Sequence, residues 1–309
     1  MPQASIDIGS NSLVFLVTDG DGKTLHDESV IAGLGSGLGD RGQFAEGPMH
    51  TALAAFSSFA QTADTFGVPP ASVHAIATSA ARRASNAKRF FDRVEHVTGI
   101  RVRIIDGLEE ARLTWIGALS SLPIHATRLA VVDLGGGSTE IVLGSRTADT
   151  GLAQQSLEMG TVRLMERFGI AKADSYESKP LAEMVAHVQT LVDRVNWSNP
   201  PDVVVAVAGT ATTIGAMQLG LRSWDRDAVH GLRLTQTDLT AWYQRLASST
   251  RTQRLEWAEV SPQRADLLVA GTAVLSAVAE AAGVDHLVIS DGGIRHGVLV
   301  DARLQNTQG

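Results

Sequence analysis

The sequence contains no cysteine and no excess of positive charge. The absence of cysteine excludes disulfide bridges, zinc sites with cysteine ligands and cysteine nucleophiles. The formal net charge of -7 argues against a nucleic-acid-binding protein whose whole surface field is positive. A polyanionic substrate therefore requires a local cluster of basic side chains.

Long hydrophobic runs are also absent. The longest apolar stretch, residues 267–284, contains Glu280 and several small residues, which favours a buried helix over a membrane span. The first residues lack the basic and apolar regions of a signal peptide. We therefore expect a cytoplasmic protein that acts on neither membranes nor nucleic acid.

The length and the apolar content are sufficient for two lobes. A chain of 309 residues exceeds the usual size of a single-core domain, and 44% hydrophobic residues supply material for two cores. Predicted strands alternate with predicted helices, and this pattern restarts after Pro123. We expect an α/β fold with a first lobe over residues 1–124 and a second over residues 125–293, with a closing helix at residues 294–309 packed on the first.

Two turns rich in glycine and serine follow apolar strands that end near an aspartate, in residues 6–12 and 131–140. Glycine lets backbone N–H groups close around an anion, and an aspartate at a strand end can hold a metal ion or water. Two such turns in corresponding halves predict a phosphate chain held from both sides of a cleft. The predicted phosphate-binding residues in these turns are Ser10, Asn11, Ser12, Gly135, Gly136, Gly137, Ser138 and Thr139.

Two further segments that follow predicted strands carry candidate phosphate ligands. Thr78 and Arg82 lie at a strand-to-helix junction, where free N–H groups and the helix dipole favour an anion and arginine can bind phosphate with a bidentate fork. Gly209 and Thr210 directly follow the β-branched strand at residues 203–207 and are candidates of the same kind.

Basic residues are concentrated in residues 82–103, which contain seven Lys and Arg against two Asp and Glu. In an acidic protein this excess is a candidate track for a polyanion. Arg83, Arg89 and Arg93 fit a solvated helix face equally simply. The glycine-rich residues 33–39 similarly allow two interpretations, a lid or an exposed surface loop.

Glu109 and Glu110 begin a predicted helix. Neighbouring residues of a helix point in different directions, so at most one of them faces a cleft. A carboxylate near a terminal phosphate can accept a proton from an attacking water. From the residues alone, a solvated first-turn glutamate that the helix dipole stabilises is favoured over a catalytic role for Glu110.

Taken together, these segments resemble the Ppx/GppA family of exopolyphosphatases and guanosine-pentaphosphate phosphohydrolases, within the actin-like superfamily. The resemblance spans nearly the whole chain in the family's order. The segments that carry it are residues 7–12, 77–82, 109–113, 133–140, 159–162, 208–210, 264–266 and 290–292.

The resemblance implies two actin-like lobes and hydrolysis of the terminal phosphoanhydride of inorganic polyphosphate. It also implies that Glu110 activates the water, and that Asp133 and Glu140, with Asp7 nearby, hold an essential Mg²⁺ or Mn²⁺ ion. Relatives suggest a homodimer. Longer members continue into an HD-type region that is thought to help hold very long polymers. This chain resembles the short form of the family, so the resemblance implies short-chain polyphosphate as its substrate. At residue 296 it has histidine where relatives usually have glutamate, and we assign this residue no role.

Three alternatives remain open from the sequence. The same site fits guanosine pentaphosphate (pppGpp) as substrate. A kinase or ATPase of the actin-like superfamily would need an adenosine pocket near Gly209 and residues 291–293. A non-catalytic sensor of polyphosphate is the third, although retention of Asp7, Glu110 and Asp133 argues against it, because a sensor gains from removing negative charge near a polyanion.

Overall fold

The computed structural model describes residues 1–146, 152–170, 173–257 and 262–307. Its internal contacts divide the chain into two compact units. Unit 1 comprises Met1–Ser120 together with Gly293–Gly309, and unit 2 comprises Ser121–Gly292.

Unit 1 is built on one five-stranded mixed sheet. Its elements up to residue 120 are β1 (Gln3–Ile8), β2 (Ser12–Thr18), β3 (Thr24–Ile31), α1 (Leu38–Arg41), α2 (Glu46–Thr65), a 3-10 turn (Pro70–Ser72), β4 (His74–Ala77), α3 (Ser79–Arg83), α4 (Ala87–Thr98), β5 (Val102–Ile104) and α5 (Gly107–Leu119). The strand order is β3-β2-β1-β4-β5. The first three strands pair antiparallel, whereas β4 runs parallel to β1 and β5 runs parallel to β4.

Aromatic side chains fill the core between this sheet and α2. Phe15 on β2 stacks on Phe59 of α2 with ring centroids 4.9 Å apart, and Phe56 lies one turn earlier on the same buried face. The glycine-rich residues 33–39 join this core, because Leu34 and Leu38 are both buried. The two leucines therefore anchor this segment on the core of unit 1, which a freely exposed loop would not do.

Unit 2 is built on a six-stranded mixed sheet. Its elements are β6 (Arg128–Leu134), β7 (Thr139–Ser145), β8 (Ala153–Leu157), α6 (Thr161–Arg167), α7 (Ser178–Val192), β9 (Val203–Val207), α8 (Gly209–Gln218), α9 (Arg226–Val229), β10 (Arg233–Thr235), α10 (Gln236–Ala247), α11 (Arg251–Glu256), α12 (Pro262–Ala265), α13 (Leu268–Ala282) and β11 (His286–Ile289). The strand order is β10-β11-β9-β6-β7-β8.

Continuous apolar runs explain the central strands of this sheet. The apolar residues of β6 and β9 are nearly all buried, as expected for parallel strands covered by helices on both faces. The small residues of α13 let it pack deep in the same core, and the helix is almost wholly buried. In the described part of the chain, no helix is both long and apolar enough to cross a membrane.

The two sheets share one plan. In each, an antiparallel meander of three strands (β1 to β3, β6 to β8) is followed by two strands parallel to the first (β4 and β5, β9 and β11). This confirms the predicted α/β class with two related lobes. The sequence-based prediction missed α1, α3, α8, α9, α11 and β10. All of these except α8 are too short to show a clear hydrophobic period, and α8 is buried over most of its length, so it has no polar face.

The last helix, α14 (Ile294–Thr307), belongs to unit 1 and packs against α5 and β1. Glycines make the contact with α5 possible. A Cβ on Gly117 would lie 1.9 Å from the carbonyl oxygen of Gly293, and one on Gly297 would lie 1.8 Å from that of Leu113. The Arg112 guanidinium also binds the Asp301 carboxylate through two hydrogen bonds of 2.7 and 2.9 Å.

We predict that Gly297→Ala lowers the free energy of unfolding by roughly 3 kcal/mol, since backbone atoms cannot yield as a side-chain tip can. Gly39→Ala is the matched control, because a Cβ there meets no atom within 4 Å. Its unfolding free energy should change by less than about 1 kcal/mol. Urea unfolding of both variants measures this, and equal stabilities would refute the backbone contact between α5 and α14.

Candidate functional site

In unit 1, the predicted site residues converge on one edge of the sheet. Since β1, β4 and β5 run parallel, the segments that follow them leave from the same edge. These segments are the turn at residues 9–12, the start of α3 at Thr78 and the start of α5 at Asp106. Asp7 occupies the end of β1 beside the turn.

A neighbouring backbone segment holds the carbonyl groups of the turn at residues 9–12. The Ser10 carbonyl accepts a hydrogen bond from the Gly35 N–H (2.7 Å), and the Asn11 carbonyl accepts one from the Gly33 N–H (2.8 Å). Gly35 is required at this approach, because a Cβ there would lie 2.8 Å from the Ser10 Cβ. The glycine-rich residues 33–39 therefore support the turn.

This support fixes the direction of the N–H groups of the turn. Peptide units are planar and trans, so the C=O and N–H of one unit point in opposite directions. The N–H groups of Asn11 and Ser12 therefore point away from the supporting segment. Successive N–H groups oriented in this way form an anion-binding concavity.

Glu110 is buried in the first turn of α5, with 10% of its side chain exposed. Its Oε2 accepts a hydrogen bond of 2.7 Å from Nη1 of Arg82. The same Arg82 nitrogen also donates to the carbonyl oxygen of Ile105 (2.9 Å), which ties α3 to the end of β5. The two residues that the sequence singled out separately thus form one ion pair.

Glu109 has a different partner. Its carboxylate binds Arg103 at 2.6 Å, and its N–H is capped by the Asp106 side chain at 2.9 Å. The two adjacent glutamates of α5 therefore point to different surroundings. Only Glu110 pairs with Arg82 at the edge that carries the turn.

The environment of Asp7 disfavours its charged form. Burial raises the pKa of the Asp7 carboxyl to about 6, and the nearby positive charge of Arg295 opposes this rise. Arg295 lies at the start of α14, whose backbone is tied to β1 by a hydrogen bond of 2.8 Å from the Ser5 hydroxyl to the Arg295 carbonyl. A raised pKa on a carboxylate beside an anion-binding turn is typical of a functional position.

Unit 2 repeats this arrangement at the turn of residues 135–138. The N–H of Thr161 donates to the Gly135 carbonyl (3.0 Å), and the N–H of Arg163 donates to the Gly136 carbonyl (3.1 Å). The Arg163 Nε donates to the Gly137 carbonyl at 2.8 Å. The first turn of α6 therefore holds all three carbonyl groups.

The N–H groups of Gly136, Gly137 and Ser138 consequently point away from α6 by the same planar-peptide argument. Gly160 permits this contact, since a Cβ there would lie 2.4 Å from backbone atoms of both Gly136 and Gly137. Three consecutive N–H groups facing one side can bind a phosphate oxygen. The sequence contained Gly160 within a family segment but gave no reason for it.

Both turns are closed by the same hydrogen bond. Gly9 N–H donates to the Ser12 carbonyl and Gly135 N–H donates to the Ser138 carbonyl, each at 3.0 Å. In strand register, Asp133 of β6 corresponds to Asp7 of β1, because each lies two residues before its glycine. The anion-binding turn is thus one structural unit present twice.

Two carboxylates lie side by side next to the second turn. Asp133 and Glu140 are directly opposite each other in the pairing of β6 and β7, which places both side chains on one face of the sheet. Glu140 is buried and accepts a hydrogen bond of 2.8 Å from the hydroxyl of Ser156, its partner on β8. Such a pair suits Mg²⁺, which binds proteins through one or two carboxylates and keeps the remaining positions for water and phosphate oxygens.

In the described ranges, no three His, Cys, Asp or Glu side chains are grouped so that they could hold a metal ion. Asp7 belongs to unit 1, whereas Asp133 and Glu140 belong to unit 2. The metal-ligand role of these three residues stays a prediction.

Thr139 has a supporting position. Its side chain is fully buried, and its hydroxyl donates to the Met159 carbonyl at 3.2 Å. Thr78 is also buried, and its backbone N–H donates to the Ile8 carbonyl at 3.3 Å, which fixes the start of α3 beside the first turn. Both hydroxyls therefore lie at the predicted edge but are not exposed.

The start of α8, where the sequence places Gly209 and Thr210, is a second candidate anion site of unit 2. Ala208 precedes it with φ 76° and ψ 172°, a strained region that costs about 1–3 kcal/mol for a residue with a Cβ. No side chain caps the helix there. The Thr210 side chain lies against Gly271 of α13, where an added Cβ would be 2.4 Å from its methyl group.

Sequence reasoning gave no role to Arg264, which lies beside this helix start. A Cβ on Gly209 would lie 3.1 Å from its guanidinium, and its Nη1 donates to the Thr213 hydroxyl at 3.0 Å. Burial lowers the pKa of Arg264, and the negative charge of Asp291 opposes that shift. No spacing rule in the sequence connects Arg264 with Gly209, because 54 residues separate them.

The chain matches the model of the Ppx/GppA phosphatase family over residues 13–306. It is 34% identical to Exopolyphosphatase 2 of Mycobacterium tuberculosis over 318 aligned residues, which cover 96% of each chain. Its fold is similar to the crystal structure of the Aquifex aeolicus Ppx/GppA family member, with 30% identity, a TM-score of 0.83 and coverage of 100% and 99% of the two chains. An exopolyphosphatase from Cytophaga hutchinsonii is 27% identical, with a TM-score of 0.88 and coverage of 99% and 98%.

The pKa of Asp7 leads to a prediction about stability. Because the folded-state pKa of about 6 lies above the ordinary aspartate pKa of 3.8, the folded protein binds more protons between these pH values. Its stability therefore falls as pH rises from about 4 to about 6 and stays lower above that. We predict that Asp7→Asn raises the free energy of unfolding at pH 7.5, by at most about 3 kcal/mol.

This gain should shrink as the pH is lowered and vanish near pH 4. Urea unfolding in EDTA at a series of pH values measures it, with Asp64→Asn as the control because Asp64 is exposed on α2. An Asp7→Asn gain that does not depend on pH would show that burial does not disfavour the Asp7 charge.

Proposed function

Because the chain belongs to the Ppx/GppA phosphatase family, we propose that it is an exopolyphosphatase, which releases orthophosphate from the end of inorganic polyphosphate. The observation that carries this proposal is the repeated turn, with N–H groups turned outward, in each of the two units. A polymer of phosphates offers consecutive anions to such turns. The name and the 34% identity of the M. tuberculosis relative support the same substrate class.

In this proposal, the turns at residues 9–12 and 135–138 bind phosphate oxygens through backbone N–H groups. Asp133 and Glu140, with Asp7, would hold Mg²⁺ or Mn²⁺. Bound there, the ion supplies positive charge that neutralises phosphate oxygens during phosphoryl transfer. These residues present carboxylate oxygens, the donor type that such hard cations prefer.

Glu110 acts on the water in this proposal. The water oxygen forms a bond to the outermost phosphorus while the bond from that phosphorus to the bridging oxygen breaks. The water proton passes to the Glu110 carboxylate, and the shortened chain leaves with its new terminal oxygen charged. The products are orthophosphate and a polyphosphate shorter by one phosphate.

Arg82 is suited to hold both the Glu110 carboxylate and the phosphate in this step. Its Nη1 holds the Glu110 carboxylate and the end of β5. A guanidinium has five N–H donors in a planar fork, and these two hydrogen bonds use only Nη1. The N–H donors on the other nitrogens can bind a phosphate oxygen as well. The ion pair with Arg82 also holds the Glu110 carboxylate in a fixed position.

We predict that Glu110→Gln lowers kcat for polyphosphate about a hundredfold to ten-thousandfold, since the amide keeps the shape but cannot accept the proton. Glu109→Gln is the matched control, because its neighbouring carboxylate pairs with Arg103 instead. Phosphate release from purified variants, together with thermal unfolding, measures the effect. A kcat within a few-fold of wild type for Glu110→Gln would remove Glu110 from this role.

The substrate class is tested by phosphate release from polyphosphate, pppGpp and ATP, with Mg²⁺, with Mn²⁺ and with EDTA. We expect polyphosphate to give the highest kcat/KM, and EDTA to abolish its hydrolysis because Asp133 and Glu140 alone leave the phosphate charge uncompensated. Preference for pppGpp would assign the same chemistry to the nucleotide. Transfer of phosphate from ATP to a second substrate would replace the proposal with a kinase.

A further inference from the structure

A groove in unit 1 lies apart from the turns described above. It is a cavity of about 870 Å³ between the first turns of α2 and one face of α4. The lining residues follow helical spacing on both helices, because each set repeats every three or four positions. They are Gln43, Glu46, Gly47, Met49, His50, Leu53, Asn86, Arg89, Phe90 and Arg93.

The floor of this groove is rigid. The Asn86 side chain makes two hydrogen bonds with the backbone of Phe44, accepting from its N–H (2.9 Å) and donating to its carbonyl (3.0 Å). The Phe44 ring packs edge-on against Phe90 and Phe91, with centroids 6.2 and 6.4 Å apart. A ligand therefore meets a preformed surface.

The charge of the groove comes from two arginines that lack a carboxylate partner. Most other cations of residues 82–103 are paired: Arg82 with Glu110, Lys88 with Asp92, Arg101 with Glu95 and Arg103 with Glu109. Within the ranges that the structure describes, neither Arg89 nor Arg93 makes an ion pair or a side-chain hydrogen bond, and both are exposed. The basic excess seen in the sequence is thus concentrated in this groove.

The spacing of these arginines suits a chain of phosphates. Residues four apart on a helix are separated by about 6 Å along its axis and lie on the same face, so the two guanidinium groups can bind different phosphates of one polymer. His50 adds ring nitrogens on the opposite wall, and Glu46 is the single carboxylate among the lining residues. Arg89 and Arg93 outnumber this carboxylate, so the groove favours a ligand with several negative charges.

The groove also follows Arg82 closely along the chain. Arg82 is in α3, and Asn86, which directly precedes α4, follows only four residues later. Ser85 lies between them and is fixed by hydrogen bonds from its N–H (2.9 Å) and its hydroxyl (3.0 Å) to the Gly42 carbonyl. One ordered segment of unit 1 therefore carries both Arg82 and the groove.

From this arrangement we propose that the groove binds polyphosphate at phosphates remote from the hydrolysed end, and so raises affinity for long chains over short ones. This inference rests on the proposed function for its substrate. It assigns Arg89 and Arg93 to chain binding and leaves the chemical step to other residues. Each guanidinium fork binds phosphate oxygens, and the contact should weaken with added salt.

The test compares the double variant Arg89→Gln/Arg93→Gln with wild type on long-chain polyphosphate and on tripolyphosphate. We expect KM for the long chain to rise roughly tenfold, whereas KM for tripolyphosphate changes less than about twofold. The control is Arg101→Gln, which removes the same charge from the same run but from an arginine paired with Glu95 outside the groove. It should behave as wild type on both substrates.

Direct binding separates this inference from the proposed function. The dissociation constant of long-chain polyphosphate is measured on Glu110→Gln protein with and without the two arginine substitutions, in the absence of turnover. A weaker complex in the triple variant supports the groove even if wild type hydrolyses no polyphosphate, in which case the proposed function fails by itself. If the double substitution changes neither the dissociation constant nor the KM for the long chain, the groove is not a binding site for polyphosphate.

Discussion

Hydrogen bonds to the carbonyl groups of two short turns are the constraint on which the proposed chemistry depends. In unit 1 the residues around Gly33 and Gly35 hold the turn, and in unit 2 the start of α6 holds it. Because peptide units are planar, fixing the carbonyl groups fixes the N–H groups on the opposite side. The anion-binding surface is therefore built before any ligand arrives, and no side-chain entropy is lost in orienting these donors.

Two glycines are required by close contacts with another backbone segment, and not by the conformation of a turn. Gly35 and Gly160 each face a turn so closely that a Cβ would overlap its backbone or Ser10. Neither has the positive φ that makes glycine necessary elsewhere. Unit 1 and unit 2 use unrelated segments, a loop and a helix start, for the same purpose, although their sheets share one plan.

Much of the fold could be predicted from the sequence, because long apolar runs and helical spacing are local signals. The strands at Asp7 and Asp133 follow from such patterns, as does α5, which was predicted from Glu109 and begins at Gly107. The Arg82–Glu110 ion pair does not, since 28 residues separate its members and only the parallel pairing of β4 with β5 brings their segments to one edge. The role of residues 33–39 was likewise missed, because a glycine-rich composition does not reveal which backbone the segment will contact.

The same limit applies to the basic run at residues 82–103. Its charge is visible in the sequence, but which arginines are neutralised depends on partners such as Glu110, Glu95 and Glu109 that only the folded chain defines. Once those pairs are known, the excess charge is concentrated on one face of α4. The sequence therefore predicts an excess of basic residues, but only the fold shows which of them form a positively charged surface.

The central claim is that backbone N–H groups of both turns bind phosphate. Two-dimensional ¹H–¹⁵N NMR of the protein, titrated with pyrophosphate in the presence of Mg²⁺, tests it most directly. The account predicts that the amide signals of Asn11 and Ser12 and those of Gly136, Gly137 and Ser138 shift on titration. Unshifted signals from both turns at saturating pyrophosphate would contradict it.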